Sequence, residues 1–222
     1  MRVILFGATG MVGRGVLREC LLDDRVTAVL TVGRAVTGVT HGKLRELRHD
    51  DLLDLSAIED ELRGYDACFF CLGVSSAGMK ERDYRRITYD FTLSAGRTLA
   101  RLNPGSTFVY VSGVGTDAHG RAMWARVKGE TENALLELPL EAYMFRPGYI
   151  QPMYGVTSRT RFYRLAYVVV RPFYPVLRRL FGAGITTTER IGQAMITVAE
   201  RGAPKRILGP ADINALCETG AR

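Results

Sequence analysis

The fold is decided by the stretch Val3-Ile4-Leu5-Phe6-Gly7-Ala8-Thr9-Gly10-Met11-Val12-Gly13. Its four leading apolar residues predict a strand buried on both faces. Apolar residues then recur at helical spacing as far as Leu21, which predicts a helix directly after the last glycine. The three glycines suit a turn that bends sharply and lets its backbone approach a ligand closely. Because a helix N-terminus offers free N–H groups and a positive dipole end, this context favours a pyrophosphate site over a plain turn.

Strands and helices alternate from this turn to about residue 148. Further strands are predicted at 27–32, 44–47, 66–72, 108–111 and 142–145, with helices at about 56–62, 81–102 and 121–138. The first of these helices opens on Ser56-Ala57-Ile58-Glu59, which has the spacing of a capping box. This alternation is typical of βαβ units. The sequence therefore predicts an α/β fold with a doubly wound, mainly parallel sheet.

The alternation lapses after Gly148. Residues 159–182 have a helical pattern that Pro172 and Pro175 interrupt, and Thr186-Thr187-Thr188-Glu189 predicts a capped helix to about Glu200. A last strand is predicted at 205–208. We predict one domain spanning 1–222, within which 149–222 form a smaller, basic and aromatic portion on the substrate side.

Length and composition indicate an ordinary globular domain. The chain has 222 residues, 47% apolar and 24% charged, which excludes disordered, collagen-like and coiled-coil proteins. No uncharged apolar stretch approaches the ~20 residues of a membrane span, and the N-terminal apolar run is too short for a signal peptide. We therefore expect a soluble, cytoplasmic protein.

The cysteines and histidines indicate neither a disulfide framework nor a metal site. Four cysteines in a chain of this length favour a reducing compartment. Cys68 and Cys71 form a C-x-x-C pattern inside a predicted strand, where residues three apart face opposite sides, so we expect buried thiols. His41, His49 and His119 are scattered without metal-ligand spacing.

The residues after the second predicted strand select the nucleotide. A carboxylate about 20 residues beyond the glycines would bind the adenosine ribose 2′-hydroxyl. No Asp or Glu occurs between Arg25 and Leu44, Arg34 stands in that place, and Arg14 follows the last glycine. Because a guanidinium suits a 2′-phosphate, NADP is favoured over NAD, the alternative being that Arg34 is a solvated turn residue. Asp51 either meets the adenine amino group or caps the next turn.

Five motifs resemble the short-chain dehydrogenase/reductase superfamily: Gly7–Gly13, Gly33-Arg34, Val111-Ser112, Val127-Lys128-Gly129-Glu130 and Phe145-Arg146-Pro147-Gly148. The similarity covers the chain in order and is closest to the extended or atypical NAD(P)H-binding branch, which includes NmrA-like sensors and relatives of the mammalian Tat-interacting protein. It implies a Rossmann-type fold with NAD(P) as the cofactor. It also implies an oxidoreductase or a nucleotide-sugar-epimerase-like enzyme acting on a small molecule that the sequence does not identify. Dimers are common in the family, so a homodimer is one option.

The superfamily's catalytic residues match this chain only in part. The family uses a serine that binds the substrate carbonyl, a tyrosine that exchanges the proton, and a lysine that lowers the tyrosine pKa and holds the nicotinamide ribose. Ser112 and Lys128 match the serine and the lysine, whereas Trp124 stands where the tyrosine belongs. An indole N–H can donate a hydrogen bond but cannot exchange a proton near neutral pH.

Several interpretations of Trp124 stay open. Another hydroxyl could act, the candidates being Tyr84, Tyr89, Tyr149 and Tyr154, or the chemistry could need no proton at that position. The chain could also bind NADP(H) without turning it over, as a redox sensor or scaffold, and the indole could simply plug the pocket or pack on the core. The leading hypothesis is an NADP-preferring oxidoreductase or epimerase-like enzyme, and the alternative is a non-catalytic NADP(H)-binding regulator.

The predicted cofactor contacts lie in the turns that follow the predicted strands. The glycine turn and the arginines follow from the sequence pattern, and the loop after the sixth strand follows from the resemblance. The full set is Gly7, Thr9, Gly10, Met11, Val12, Gly13, Arg14, Arg34, Asp51, Leu52, Gly73, Lys128, Pro147, Gly148 and Ile150.

The net charge of +7 comes from one segment, because residues 142–188 contain seven arginines and no acidic residue. One interpretation of the arginines and aromatic residues in 159–182 is a substrate lid or a surface that contacts an anionic membrane or a partner, and binding of an anionic substrate would use the same arginines. The alternative is that the aromatic side chains cover the sheet edge and the arginines stay solvated. No nucleic-acid-binding module is predicted.

Overall fold

Strand β1 (Arg2–Phe6) lies inside a seven-stranded sheet in the computed structural model, which describes residues 1–154 and 184–219. The other strands are β2 (Ala28–Gly33), β3 (Leu44–Arg48), β4 (Ala67–Phe70), β5 (Thr107–Val111), β6 (Glu141–Phe145), β7 (Tyr149–Gln151), β8 (Ile185–Thr187) and β9 (Ile207–Leu208). The helices are α1 (Met11–Leu22), α2 (Glu81–Arg85), α3 (Phe91–Leu102), α4 (Met123–Leu136), α5 (Thr188–Arg201) and α6 (Pro210–Thr219).

The large sheet has the order β3-β2-β1-β4-β5-β6-β9, and all its neighbouring strands are parallel. The strand order reverses between β1 and β4, and this reversal is where open α/β sheets place a ligand crevice. The predicted α/β, doubly wound Rossmann-type fold is confirmed. The predicted helical segment 159–182 lies outside the described residues.

The central strands are continuous apolar runs because helices cover both faces of the sheet. In β1, Val3 and Leu5 join the core beneath α1 and α5, whereas Ile4 and Phe6 join the core beneath α3 and α4. The ring of Phe70 lies 5.3 Å from that of Phe6, centroid to centroid. Burial on both faces fixes the register of each strand, and with it the positions of the turns at the strand ends.

Three predicted helices differ in detail from the structure. The helix predicted at 81–102 contains a π-helical turn, Arg86–Asp90, between α2 and α3. The segment Ser56–Leu62 is a 3₁₀ helix, and no Ser56 capping box forms, because Asp54 Oδ1 accepts the Ser56 N–H at 2.9 Å instead. Helix α5 is capped one residue later than predicted: the Arg190 N–H donates to Thr187 Oγ1 at 3.1 Å.

Strands β7 and β8 and helix α6 were not predicted. The two strands form a separate parallel pair with Tyr149 opposite Ile185. Three-residue strands carry too little periodicity to be recognised. The sequence does contain a signal for helix α6, because its first residue is Pro210 and proline is common at that position. In the structure, Asp212 Oδ2 accepts the Gly209 N–H at 2.9 Å. The two cysteines of the C-x-x-C pattern pack in different core clusters, on opposite faces of the sheet as predicted.

Helices α1 and α5 pack closely through two glycines. A Cβ on Gly15 would lie 2.4 Å from Thr188 Cβ and 2.9 Å from the Thr188 carbonyl oxygen. A Cβ on Gly192 would lie 2.8 Å from the Glu19 side chain. The absence of side chains at these positions brings the two helix backbones together and ties the N-terminal turn of α5 to α1.

Gly15→Ala should lower the free energy of unfolding by about 1–3 kcal/mol, because the added methyl group has no space against the Thr188 backbone. Urea unfolding followed by circular dichroism measures this change. Gly42→Ala is the control, since a Cβ at Gly42 meets no atom within 4 Å. Equal stability of Gly15→Ala and the wild type would show that the helices are not in contact at this point.

Candidate nucleotide-binding site

The turn between β1 and α1 can be built only from glycine at two positions. Gly7 has φ +80°, and a Cβ there would lie 2.5 Å from the backbone nitrogen of Leu72. A Cβ on Gly13 would lie 2.1 Å from the Gly7 carbonyl oxygen. The Gly10 N–H donates to that same oxygen at 2.9 Å, which closes the turn. The backbone therefore approaches the sheet closely at this point.

This turn presents unused hydrogen-bond donors. Gly10 is the N-cap of α1 and has no capping side chain, and the first turn of the helix holds no acidic residue. Within the described residues, the backbone N–H groups of Met11, Val12 and Gly13 have no acceptor. Free N–H groups at the positive end of a helix dipole suit the pyrophosphate of a dinucleotide. The residues present therefore fit the predicted cofactor.

Two arginines lie at the carboxyl end of β2, and a third belongs to the first turn of α1. Arg34 and Arg14 are exposed, and the β2–β3 register places Arg48 opposite Gly33. None of the three has a carboxylate partner within the described part of the chain. The nearby Glu46 is already engaged, because the Thr37 N–H donates to its Oε2 at 2.6 Å. These arginines can receive an anionic group. Arg48 is a residue of this site that the sequence did not predict.

The turn after β3 holds the predicted adenine-side residues. Leu52 is buried, and Asp51 is exposed and accepts the Leu53 N–H at 3.0 Å, so the carboxylate caps this turn. Ser94 of α3 donates to the Leu53 carbonyl oxygen at 2.9 Å, and a cavity of about 400 Å³ opens between this turn and α3. Gly73, after β4, is exposed.

A buried polar network joins β5, α4 and β6. The Ser112 hydroxyl donates to Glu132 Oε1 at 2.5 Å and also lies 3.1 Å from the Phe145 carbonyl oxygen. Arg146 donates to both oxygens of Glu132, whose side chain is 1% exposed. The Ser112 proton is thus committed to this network, and its predicted role of binding a substrate carbonyl stays a prediction. Glu132 was not recognised from the sequence, although it lies one helical turn after Lys128.

Lys128 lies directly above this network. Its Nζ donates to the Ser112 carbonyl oxygen at 2.5 Å, and its side chain has no ion-pair partner within the described residues. Burial lowers the pKa of the Lys128 ammonium to about 8, and the charge of Glu132 acts in the opposite direction. A half-buried amine at the carboxyl end of β5 is therefore able to change its charge near neutral pH.

Trp124 and the alternative tyrosines lie in different environments. The Trp124 ring packs against Gly115, where an added Cβ would lie 3.1 Å from its Cη2 atom. Tyr84 is buried, and burial raises its pKa. Tyr149 donates to Gln151 Oε1 at 2.9 Å, and Tyr154 is exposed beneath the guanidinium of Arg18. The fourth candidate, Tyr89, is half-buried with the Arg85 guanidinium over its ring.

The loop after β6 is fixed on both sides. The Val114 N–H donates to the Pro147 carbonyl oxygen at 3.1 Å, which joins it to the loop after β5. A Cβ on Gly148 would lie 2.4 Å from the Gly184 carbonyl oxygen, so only glycine fits. Ile150 lies in β7, opposite Thr186. Pro147, Gly148 and Ile150 therefore line the same end of the sheet as Lys128.

Comparison with known proteins gives distant relatives that agree with this geometry. The chain is 29% identical over 153 residues to the protein FMP52-1 of Scheffersomyces stipitis (68% of this chain, 67% of that protein). It is 26% identical over 151 residues to HTATIP2 of Rattus norvegicus (67% of this chain, 62% of that protein). The chain thus matches about two thirds of the length of these relatives. No family model matches.

Among solved structures, the Streptomyces venezuelae dTDP-glucose 4,6-dehydratase DesIV, solved with NAD bound, has a TM-score of 0.71 at 16% identity. The match covers 99% of this chain and 80% of that chain. Homologues of the chain therefore include FMP52 and HTATIP2, and the resemblance to the atypical short-chain dehydrogenase branch is confirmed.

The predicted cytoplasmic location is wrong. The matched FMP52 proteins of Scheffersomyces stipitis, Emericella nidulans and Candida albicans are all named mitochondrial, which points away from a purely cytoplasmic protein. Composition and cysteine count reflect solubility and redox conditions but carry no targeting signal. In the described residues, no helix combines the length and apolarity needed to cross a membrane.

Glu132→Gln should lower the free energy of unfolding by about 3–5 kcal/mol, because the Arg146 guanidinium would lose its buried counter-charge. Urea unfolding measures the effect, and Glu137→Gln on the exposed end of the same helix is the control. The double variant Glu132→Gln/Arg146→Met should lose less stability than the sum of the two single variants. Additive losses would contradict a direct ion pair.

Proposed function

We propose that this protein binds NADP(H) across the carboxyl ends of its parallel strands. The single observation that carries the proposal is the glycine turn, where the described residues leave three backbone N–H groups without an acceptor and leave Arg14, Arg34 and Arg48 without carboxylate partners. The turn would hold the pyrophosphate, and Arg34, with Arg14 and Arg48, would bind the 2′-phosphate. The homology to the atypical short-chain dehydrogenase branch supports this assignment.

The other predicted contacts extend this site along the crevice. In the proposed complex, Asp51, Leu52 and Gly73 border the adenosine, and Lys128 with the loop after β6 borders the nicotinamide ribose. We further propose that residues 1–222 form one domain with 149–222 on the substrate side, because β9 completes the main sheet from the far end of the chain.

The reaction class that fits best is hydride transfer with a small molecule, by an NADP-preferring oxidoreductase or an epimerase-like enzyme. When bound, the cofactor supplies or accepts the hydride. The chain itself supplies the backbone cradle, the ammonium of Lys128 at the carboxyl end of β5, and an indole that covers Gly115. The tyrosine of the related enzymes has no counterpart at position 124.

A second candidate function is a non-catalytic NADP(H)-binding regulator. The specific observation in its favour is that neither residue matching the family's serine and tyrosine positions offers a hydroxyl for proton transfer. Ser112 donates into the buried network, and Trp124 has only an indole N–H. Cofactor affinity does not distinguish the two functions, whereas turnover does.

Arg34→Asp should weaken NADPH binding about 10- to 100-fold, because it replaces a cation beside the 2′-phosphate with an anion. NADH binding should change far less. Isothermal titration calorimetry with both nucleotides measures the two affinities. The matched control is Arg63→Asp, an exposed arginine before β4, at the amino ends of the strands. If both affinities fall equally, the 2′-phosphate does not lie at Arg34.

Trp124→Tyr places a phenol at the position of the family's proton-exchanging residue. With a panel of aldehydes and ketones, the variant should oxidise NADPH about 10-fold or more faster than the wild type if the site is built for carbonyl reduction. Absorbance at the nicotinamide band measures the rate, and Trp124→Phe controls for the loss of the indole. Wild-type turnover would exclude the pure regulator, and inactivity of all three proteins would favour it.

A further inference from the structure

Lys128 is partly buried, which is unusual for a lysine side chain. Its Nζ is held 2.5 Å from the Ser112 carbonyl oxygen, and this is the only acceptor that the described residues give it. An ammonium group carries three protons, so two of them stay available toward the crevice. The side chain is half-buried at the carboxyl end of β5, where the reacting end of a nicotinamide would lie.

Within the described residues, the acidic groups around Lys128 are paired with other partners. Glu132, from the same helix, is engaged at 2.5 Å by Arg146, the residue directly after β6, and Asp117 of the loop after β5 also acts on Arg146. The charged groups of helix α2, which packs on α4, are already paired: Glu81 with Arg126 and Arg85 with Glu130 of α4, and Arg82 with Asp83 within α2. Burial therefore dominates over attraction at Lys128, and the pKa of its ammonium falls to about 8.

The other candidate proton donors are committed elsewhere. The Ser112 proton is committed to Glu132, and the indole of Trp124 lies on Gly115. Tyr84 is buried, and Tyr149 donates to Gln151. The remaining tyrosine candidates, Tyr89 and Tyr154, lie under the guanidiniums of Arg85 and Arg18. Lys128 lies at the carboxyl end of β5, and burial lowers the pKa of its ammonium to about 8.

We propose that Lys128 itself exchanges the proton with the substrate oxygen, in place of a tyrosine. This inference rests on the proposed NADP(H)-dependent function. In the reducing direction, the carbonyl carbon receives a hydride from the reduced nicotinamide and the carbonyl oxygen receives a proton from Nζ. The carbonyl compound is reduced to an alcohol and the nicotinamide is oxidised. The neutral amine then takes a proton from water. In the reverse direction the amine accepts the alcohol proton.

The charge of Lys128 sets the sign of the pH dependence. Because reduction requires the ammonium, its rate should fall tenfold per pH unit above about pH 8. Alcohol oxidation requires the free amine, so its rate should rise up to about pH 8 and then level off. A site with an ordinary lysine, titrating near 10.4, would show neither change in this range.

The decisive variant is Lys128→Arg, which keeps the positive charge and the donors but cannot release a proton near neutral pH. NADPH affinity, measured by calorimetry, should change less than about threefold, whereas kcat for carbonyl reduction should fall about 100-fold or more. Lys80→Arg, at an exposed lysine before α2, is the matched control. Urea unfolding checks that each variant is folded.

A second measurement needs neither cofactor nor substrate. Competitive acetylation of the wild-type protein across pH 6–11, read by mass spectrometry, should give a midpoint near pH 8 for Lys128. Lys80, an exposed lysine before α2, is the internal reference. Co-titration of the two residues would overturn the proposal, and so would Lys128→Arg turning over like the wild type. If NADPH binds but no carbonyl is reduced, this inference fails and the binding proposal stands. If NADPH does not bind, both fail.

Discussion

The contact between the backbones of Gly7 and Gly13 is the constraint on which the rest of the site depends. It leaves no room for a Cβ and thereby fixes the start of α1 against the end of β1. Gly15 then brings α1 onto Thr188, the first residue of α5, whose hydroxyl also accepts the Met153 N–H at 3.2 Å. Strand β8 leads directly into α5 and pairs with β7, which follows the loop after β6. One helix, α5, therefore positions both the glycine turn, where we propose the pyrophosphate, and the loop after β6.

The second constraint is electrostatic. Removing a carboxylate from water costs several kcal/mol. For Glu132 this cost is offset because Arg146 and Ser112 donate hydrogen bonds to its oxygens. The Ser112 hydroxyl and the Arg146 guanidinium are therefore engaged by Glu132 and are not free to bind a ligand in the crevice. Within the described residues, Lys128 has no ion-pair partner, and its burial lowers the pKa of its ammonium, while the charge of Glu132 opposes this shift.

The parts of the structure that local sequence patterns encode were predictable. The glycine turn, the parallel strands and the position of Arg34 follow from short-range spacing, and the structure has them where the sequence places them. Arg48 was missed because its place beside Gly33 depends on strand register, which is set by packing across the sheet. Glu132 was missed for a similar reason: its partner Arg146 lies 14 residues away on another element, and a glutamate on a helix is otherwise an ordinary solvated residue.

Binding and chemistry therefore depend on different parts of the chain. The proposed dinucleotide cradle consists of backbone N–H groups and of glycines that no other residue can replace, so its chemistry is fixed once the turn has formed. The proposed reacting end consists of side chains at positions 112, 124 and 128, which lie outside the glycine turn. Trp124 shows the consequence, because the fold tolerates an indole where related enzymes place a phenol. In such a site the proton must come from whichever nearby group has a suitable pKa, and burial rather than a particular residue type determines which group that is.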